Sequence, residues 1–126
     1  MKLPKKGKRI EEKTVFILSC DSRFALQKRP EEGLLAGLWQ FPDVPGKLDT
    51  GEALAAAEAM GLRPRDILRT VERKHIFTHI SWEMRGIYLE VSEPGGDFVW
   101  LTADEIRQNA ALPTAFRQFW EEIDHV

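Results

Sequence analysis

Apolar spacing divides the chain into recognisable pieces. Residues 1–13, MKLPKKGKRIEEK, carry no apolar period and read as a basic, flexible lead-in, leaving 14–126 as one domain. TVFILSC, 14–20, is a nearly continuous apolar run of strand length, the pattern of a central strand. Asp21-Ser22-Arg23 reads as a turn, with FALQK, 24–28, as the hairpin partner. RPEEGLLAGLWQFP, 29–42, sets two glycines and two prolines around an apolar centre. It is too broken for a helix and too apolar for an ordinary surface loop. In GKLDTGEALAAAEAMGL, 46–62, Asp49 and Glu52 have capping-box spacing and Gly61 suits the position past a helix end. That spacing predicts a helix from about Thr50 to Met60.

Strand-type residues fill most of 67–77, a turn follows at 77–79, and 80–91 alternates. Ile80, Trp82 and Met84 share one face. Past Gly86 the apolar phase passes to Ile87, Leu89 and Val91, which predicts a bulge at that glycine. FVWL, 98–101, is another strand, and Thr102 with Glu105 predicts a capped short helix. Pro113 suits the first position of a last helix, on which Phe116, Phe119, Trp120 and Ile123 form one stripe. Strands, a helix, more strands and terminal helices predict an α/β (α+β) domain with helices packed on a mixed sheet.

Composition narrows the function classes. The 126 residues are 43% hydrophobic and 30% charged, enough to bury a core and stay in solution. No apolar run approaches the ~18 residues of a membrane span, and no apolar stretch follows the basic start, so neither membrane nor secretory signal is expected. Cys20 is the only cysteine, which excludes an internal disulfide or a multi-cysteine metal site and fits a reducing, cytoplasmic setting. The net charge of −2 is unevenly placed. Lys2, Lys5, Lys6, Lys8, Arg9 and Lys13 against Glu11 and Glu12 make residues 1–13 +4, so the remainder is −6. An acidic body argues against tight DNA binding by this chain alone.

Two of the three histidines stand in KHIFTHISWEM, 74–84. His75 and His79 would share one face of a helix, but the flanks are strand-like. On a strand they lie about 13 Å apart, too far for one ion. Cys20 ends an apolar strand and reads as a small buried side chain. Thr78 and His79 are neighbours that point to opposite faces of a strand, which disfavours a hydroxyl–base pair. GKLDTGE resembles the front of a Nudix box and Gly61-Leu62 its end. The stretch between, ALAAAEAM, offers Glu58 where that box needs several carboxylates for Mg²⁺. No metal site and no catalytic residue are expected, though an active nucleotide pyrophosphohydrolase or a protein-interaction domain remain as alternatives.

RPEEGLLAGLWQFP, then HIFTH, then ALPTAFRQF together resemble the C-terminal domain of MutY-type adenine DNA glycosylases. The resemblance covers nearly the whole chain, and LPKKGKR is similar to the family's interdomain connector. It implies a Nudix-like α/β/α sandwich without hydrolase activity. It also implies a role in base excision repair: reading 8-oxoguanine opposite adenine in double-stranded DNA. The catalytic N-terminal domain, with its iron–sulfur cluster, would excise the adenine, leaving this chain with no cofactor. A bacterial-type location, on the nucleoid, follows. By the same resemblance Phe77, Thr78 and His79 read the lesion and Gly33 brings backbone to a phosphate beside it. Thr78 stands where Ser is commoner. Lys28 and Arg29 would add charge, and His75 would assist. Leu34, Leu38, Trp39 and Phe41 are expected in the core.

Overall fold

The computed structural model describes residues 9–29, 31–32, 37–109 and 112–124. Its elements are β1 (Arg9–Cys20), β2 (Arg23–Lys28), β3 (Trp39–Gln40), β4 (Asp43–Pro45), α1 (Thr50–Ala59), β5 (Pro64–Ile76), β6 (Ile80–Val91), β7 (Val99–Thr102), α2 (Ala103–Asn109) and α3 (Thr114–Asp124). The strands form one mixed sheet in the order β3-β2-β1-β6-β5, with β4 on β1 and β7 on β2. β1 and β6 run parallel at its centre, in register from Arg9 with Ile80 to Ser19 with Glu90. The other pairings are antiparallel.

Alternation along β1 divides the core in two. Val15 and Ile17 face α2 and α3, in a cluster with Trp82, Met84, Tyr88, Ile106, Phe116, Phe119 and Trp120. Phe16, Leu18 and Cys20 face α1, with Ala53, Ala57, Ile87, Leu89 and Val91. Helices therefore cover both faces, the expected α/β/α sandwich, and β1 reads as a continuous apolar run because it is buried on both sides.

Four local expectations need correction. β1 starts at Arg9, so 9–13 is strand and not flexible lead-in. Pairing with β6 on one side and of Lys13 with Pro45 on the other gives this polar stretch its hydrogen bonds. β3 and β4 were not expected at all: two and three residues long, they carry no readable period. Gly86 sits in regular register, opposite Val15 and Val71, and the register shifts fall instead at Pro64/Asp66 and Ile67/Arg69. The apparent phase change has another cause. β6 is covered on both faces, and Gly86 continues the Trp82–Met84–Tyr88 face, where a Cβ would come within 2.6 Å of the Phe119 ring. Pro113 lies one position before α3, its carbonyl accepting from the Arg117 N–H at 2.9 Å.

Other signals hold. Asp49 and Glu52 make the reciprocal capping box, at 2.8 and 2.9 Å. Gly61, with φ of 86°, closes α1 while Leu62 N–H reaches the Ala57 carbonyl at 3.1 Å. Thr102 and Glu105 cap α2 in the same reciprocal way. Asp21 and Ser22 both have positive φ, the two-residue turn whose twist suits a hairpin.

Candidate nucleic-acid interface

β5 and β6 form a long hairpin whose tip is Phe77-Thr78-His79. The tip is tied at both ends. Phe77 donates its N–H to the Ile80 carbonyl at 2.7 Å, and the His79 carbonyl accepts from Arg9 N–H at 3.0 Å. Thr78 and His79 are exposed, and Phe77 is half-buried. The Phe77 ring meets His75 edge-on at 4.6 Å and Trp82 at 4.9 Å between centroids. His75 thus braces the tip from β5. Among the described residues no three His, Cys, Asp or Glu side chains gather as a metal site would need.

Trp82 links this tip to a second segment. Its side chain is buried on β6, and its indole N–H donates to Glu11 Oε1 at 3.2 Å. Lys13 Nζ lies 3.8 Å from the ring centroid and the Arg29 guanidinium 5.2 Å. Lys13 also pairs with Asp43 at 3.3 Å, and Arg29 donates to Gln40 Oε1. Arg29 opens the glycine-rich segment, and its N–H bonds the Leu38 carbonyl at 2.8 Å, closing that loop at its base. Lys28 is exposed, with Nζ 5.6 Å from the Trp39 ring. The two stretches singled out in the sequence, 29–42 and 77–79, therefore meet at one tryptophan.

Gly33 and Leu34 lie outside the described residues. Phe41 is core, Trp39 is half-buried against it, and Leu38, expected inside, is 39% exposed. Sequence reasoning missed Glu11, Lys13, Gln40 and Trp82 as parts of this site. Alternation marked Trp82 as one of a face, but its partners come from parallel pairing that no local pattern reveals.

Helix α1 does not fit a magnesium site. Its carboxylates are Glu52, engaged in the N-cap, and Glu58, which is exposed. Six residues apart on a helix, they point about 120° away from each other. A cleft of about 500 Å³ opens at the other end of the sheet, lined by Ile17, Phe24, Leu68, Arg69 and Tyr88, remote from the hairpin tip.

Comparison with known proteins agrees with this geometry. The NUDIX domain profile matches residues 14–122. An adenine DNA glycosylase of Schizosaccharomyces pombe is 25% identical over 125 residues, 82% of this chain. The chain spans 27% of that relative's length. The C-terminal domain of mouse MUTYH, solved in complex with human PCNA, superposes with a TM-score of 0.60 at 28% identity, over 91% of this chain and 88% of that one. A MutT protein from Methanosarcina mazei superposes at 0.65 with 20% identity, covering 94% and 95%, a likeness of fold alone.

Proposed function

This chain belongs to the NUDIX domain family, as a MutY-type C-terminal Nudix-like domain, and from that premise we propose that it reads 8-oxoguanine opposite adenine during base excision repair. A separate catalytic domain of the same protein, with its own iron–sulfur cluster, removes the adenine. The observation that carries the reading is the hairpin tip: an exposed Thr78 and His79 beside a braced Phe77, at the end of the sheet where the Arg29 segment arrives.

The chemistry follows from the lesion. Guanine offers N7 as an acceptor in the major groove. 8-Oxoguanine carries N7–H and a carbonyl at C8, so its reader must accept at one atom and donate at the next. The Thr78 hydroxyl accepts from N7–H. Phe77 N–H is spent closing the hairpin, so the donor to the new oxygen falls to the Thr78 or His79 N–H. Phe77 offers its exposed edge to the base step. His79 contacts a phosphate, as do Lys28, Arg29 and the backbone at Gly33. These position the domain while Thr78 specifies.

A Thr78→Ala variant, measured against duplexes with 8-oxoguanine or guanine opposite adenine, tests this. Losing the acceptor should cost about 1–3 kcal/mol of discrimination, roughly fivefold or more in the affinity ratio, and Thr78→Ser should retain it. An unchanged ratio in Thr78→Ala would sink the reading.

The chain is read as non-catalytic because α1 lacks a magnesium-binding carboxylate set; an assay of Mg²⁺-dependent cleavage of oxidised dGTP should return no product. A protein partner is a second role that the mouse domain's complex with PCNA favours. No helix among the described residues is long and apolar enough to cross a membrane, and the proposed location is the compartment holding the DNA, the nucleoid in a bacterial cell.

A further inference from the structure

We infer that Trp82 is the positioning residue of the reading tip, and that through it Arg29 sets how the tip is held. This rests on the lesion-reading role proposed above. It concerns which residues give the tip its shape, and not which atoms touch the base.

Trp82 is 1% exposed in the middle of a sheet. A position that needed only volume would be filled by Leu or Phe among aliphatic neighbours. The surroundings are different. Two cations, Lys13 at 3.8 Å and Arg29 at 5.2 Å, lie over the indole. The indole N–H is fixed by Glu11, Lys13 is fixed by Asp43, and Arg29 is fixed by Gln40. Gln40 is itself buried and held by the Phe41 carbonyl at 2.9 Å. Burying charge is unfavourable unless it is partnered, and here Lys13 has the Asp43 carboxylate and Arg29 the Gln40 amide oxygen. The plane of the ring is therefore determined from β1 and from the 29–42 segment before Phe77 meets it.

Phe77 leans on that plane at 72°, and Phe116 of α3 backs it at 5.7 Å. Phe77 is the first residue of the tip, and its N–H makes the bond that closes the hairpin. Turning the indole turns the Phe77 ring, and with it the start of the Thr78-His79 turn. Arg29 and Phe77 are far apart in sequence and share Trp82 as a partner. A change at Arg29 is thus expected at the tip, and only while Trp82 is present.

The test uses the chain as it is, with Trp82→Phe, Arg29→Met and the double variant. Three quantities are read: thermal midpoint, amide positions of residues 77–79 without DNA, and the affinity ratio for 8-oxoguanine over guanine duplexes. Trp82→Phe should stay folded with a lower midpoint and lose at least fivefold of the ratio. Arg29→Met should move the 77–79 amides in the parent and leave them in place in Trp82→Phe. It should also lower the ratio, whereas a mere phosphate contact would weaken both duplexes equally. If Thr78→Ala still abolishes the preference while folded Trp82→Phe keeps it, the inference falls and the lesion-reading role stands. Equal amide shifts from Arg29→Met in both backgrounds also overturn it. A parent ratio of one overturns the lesion-reading role, and the DNA-free amide arm still decides the coupling. Should Trp82→Phe not fold, Arg29→Met alone decides, an unchanged ratio overturning the inference.

Discussion

Thr78 differs from serine by one methyl group, and at an exposed hairpin tip that methyl restricts rotation of the hydroxyl. A stiffer acceptor is better pre-aimed and less adaptable, which suits the role proposed for Thr78, meeting one hydrogen on one base. Backbone stiffness appears elsewhere at a cost. Ser22 adopts φ of 66°, a region that disfavours side chains by about 1–2 kcal/mol. Glycine removes that strain but adds unfolded-state freedom. Ser22→Gly should therefore stabilise by about 0.5 kcal/mol, seen as a higher urea midpoint at unchanged slope. The turn was legible at this scale because the residues of the candidate site are consecutive there: Phe77, Thr78 and His79 stand together in the sequence and at the hairpin tip. Trp82, Glu11 and Lys13 were not, because a parallel strand pair joins Trp82 to Glu11 across a separation of 71 residues.

Among the elements, β6 and the loop before α1 matter most. Gly86 lets α3 lie directly on the sheet, with Phe119 filling the space a side chain would take. Gly86→Ala should destabilise by about 1–3 kcal/mol in chemical denaturation, because the new methyl would crowd Val71 Cγ2 at 3.0 Å as well as the Phe119 ring. The bulge expected at this glycine shows why alternation misleads on a strand covered on both faces. Periodicity reports which residues are apolar, and both faces of β6 supply them. The 46–48 loop is pinned by contacts no pattern exposes. Thr14 donates to the Gly46 carbonyl at 2.7 Å and accepts from Leu48 N–H at 2.9 Å. Arg85 bonds the Leu48 carbonyl at 3.1 Å and, at 2.6 Å, Glu72. Burial pushes the Glu72 carboxyl up, but hydrogen bonds and charge from Arg85 and Lys47 outweigh it and hold it below its usual 4.5. A carboxyl depressed in the fold adds stability above its unfolded pKa and gives it up as pH falls through the folded value. Acidification below about pH 4.5 should therefore lower the midpoint of the parent more steeply than that of Glu72→Gln, in thermal melts across pH.

At the scale of the whole molecule, charge divides the labour. An acidic body is poorly suited to hold DNA by itself, and the base contacts proposed for the hairpin tip would give preference more than affinity. The sequence before Arg9 is basic, and Arg9 N–H bonds the His79 carbonyl, so Arg9 stands beside the hairpin tip. Fold class was readable because the apolar runs, caps and terminal stripe each agree with helices packed on a mixed sheet, and the sandwich was implied by the family resemblance. The placing of Arg29 and Gln40 beside Trp82 was not readable, since it depends on the two-residue β3 pairing with β2.

The central claim is that this domain carries the lesion preference itself. The direct test is to record its backbone amide spectrum while adding, at low salt, a short duplex with 8-oxoguanine opposite adenine, and then one with guanine there. Shifts centred on Phe77 to His79 and Gly33, larger with the lesion, are the predicted result. Equal shifts with both duplexes, or none at the tip, would contradict it.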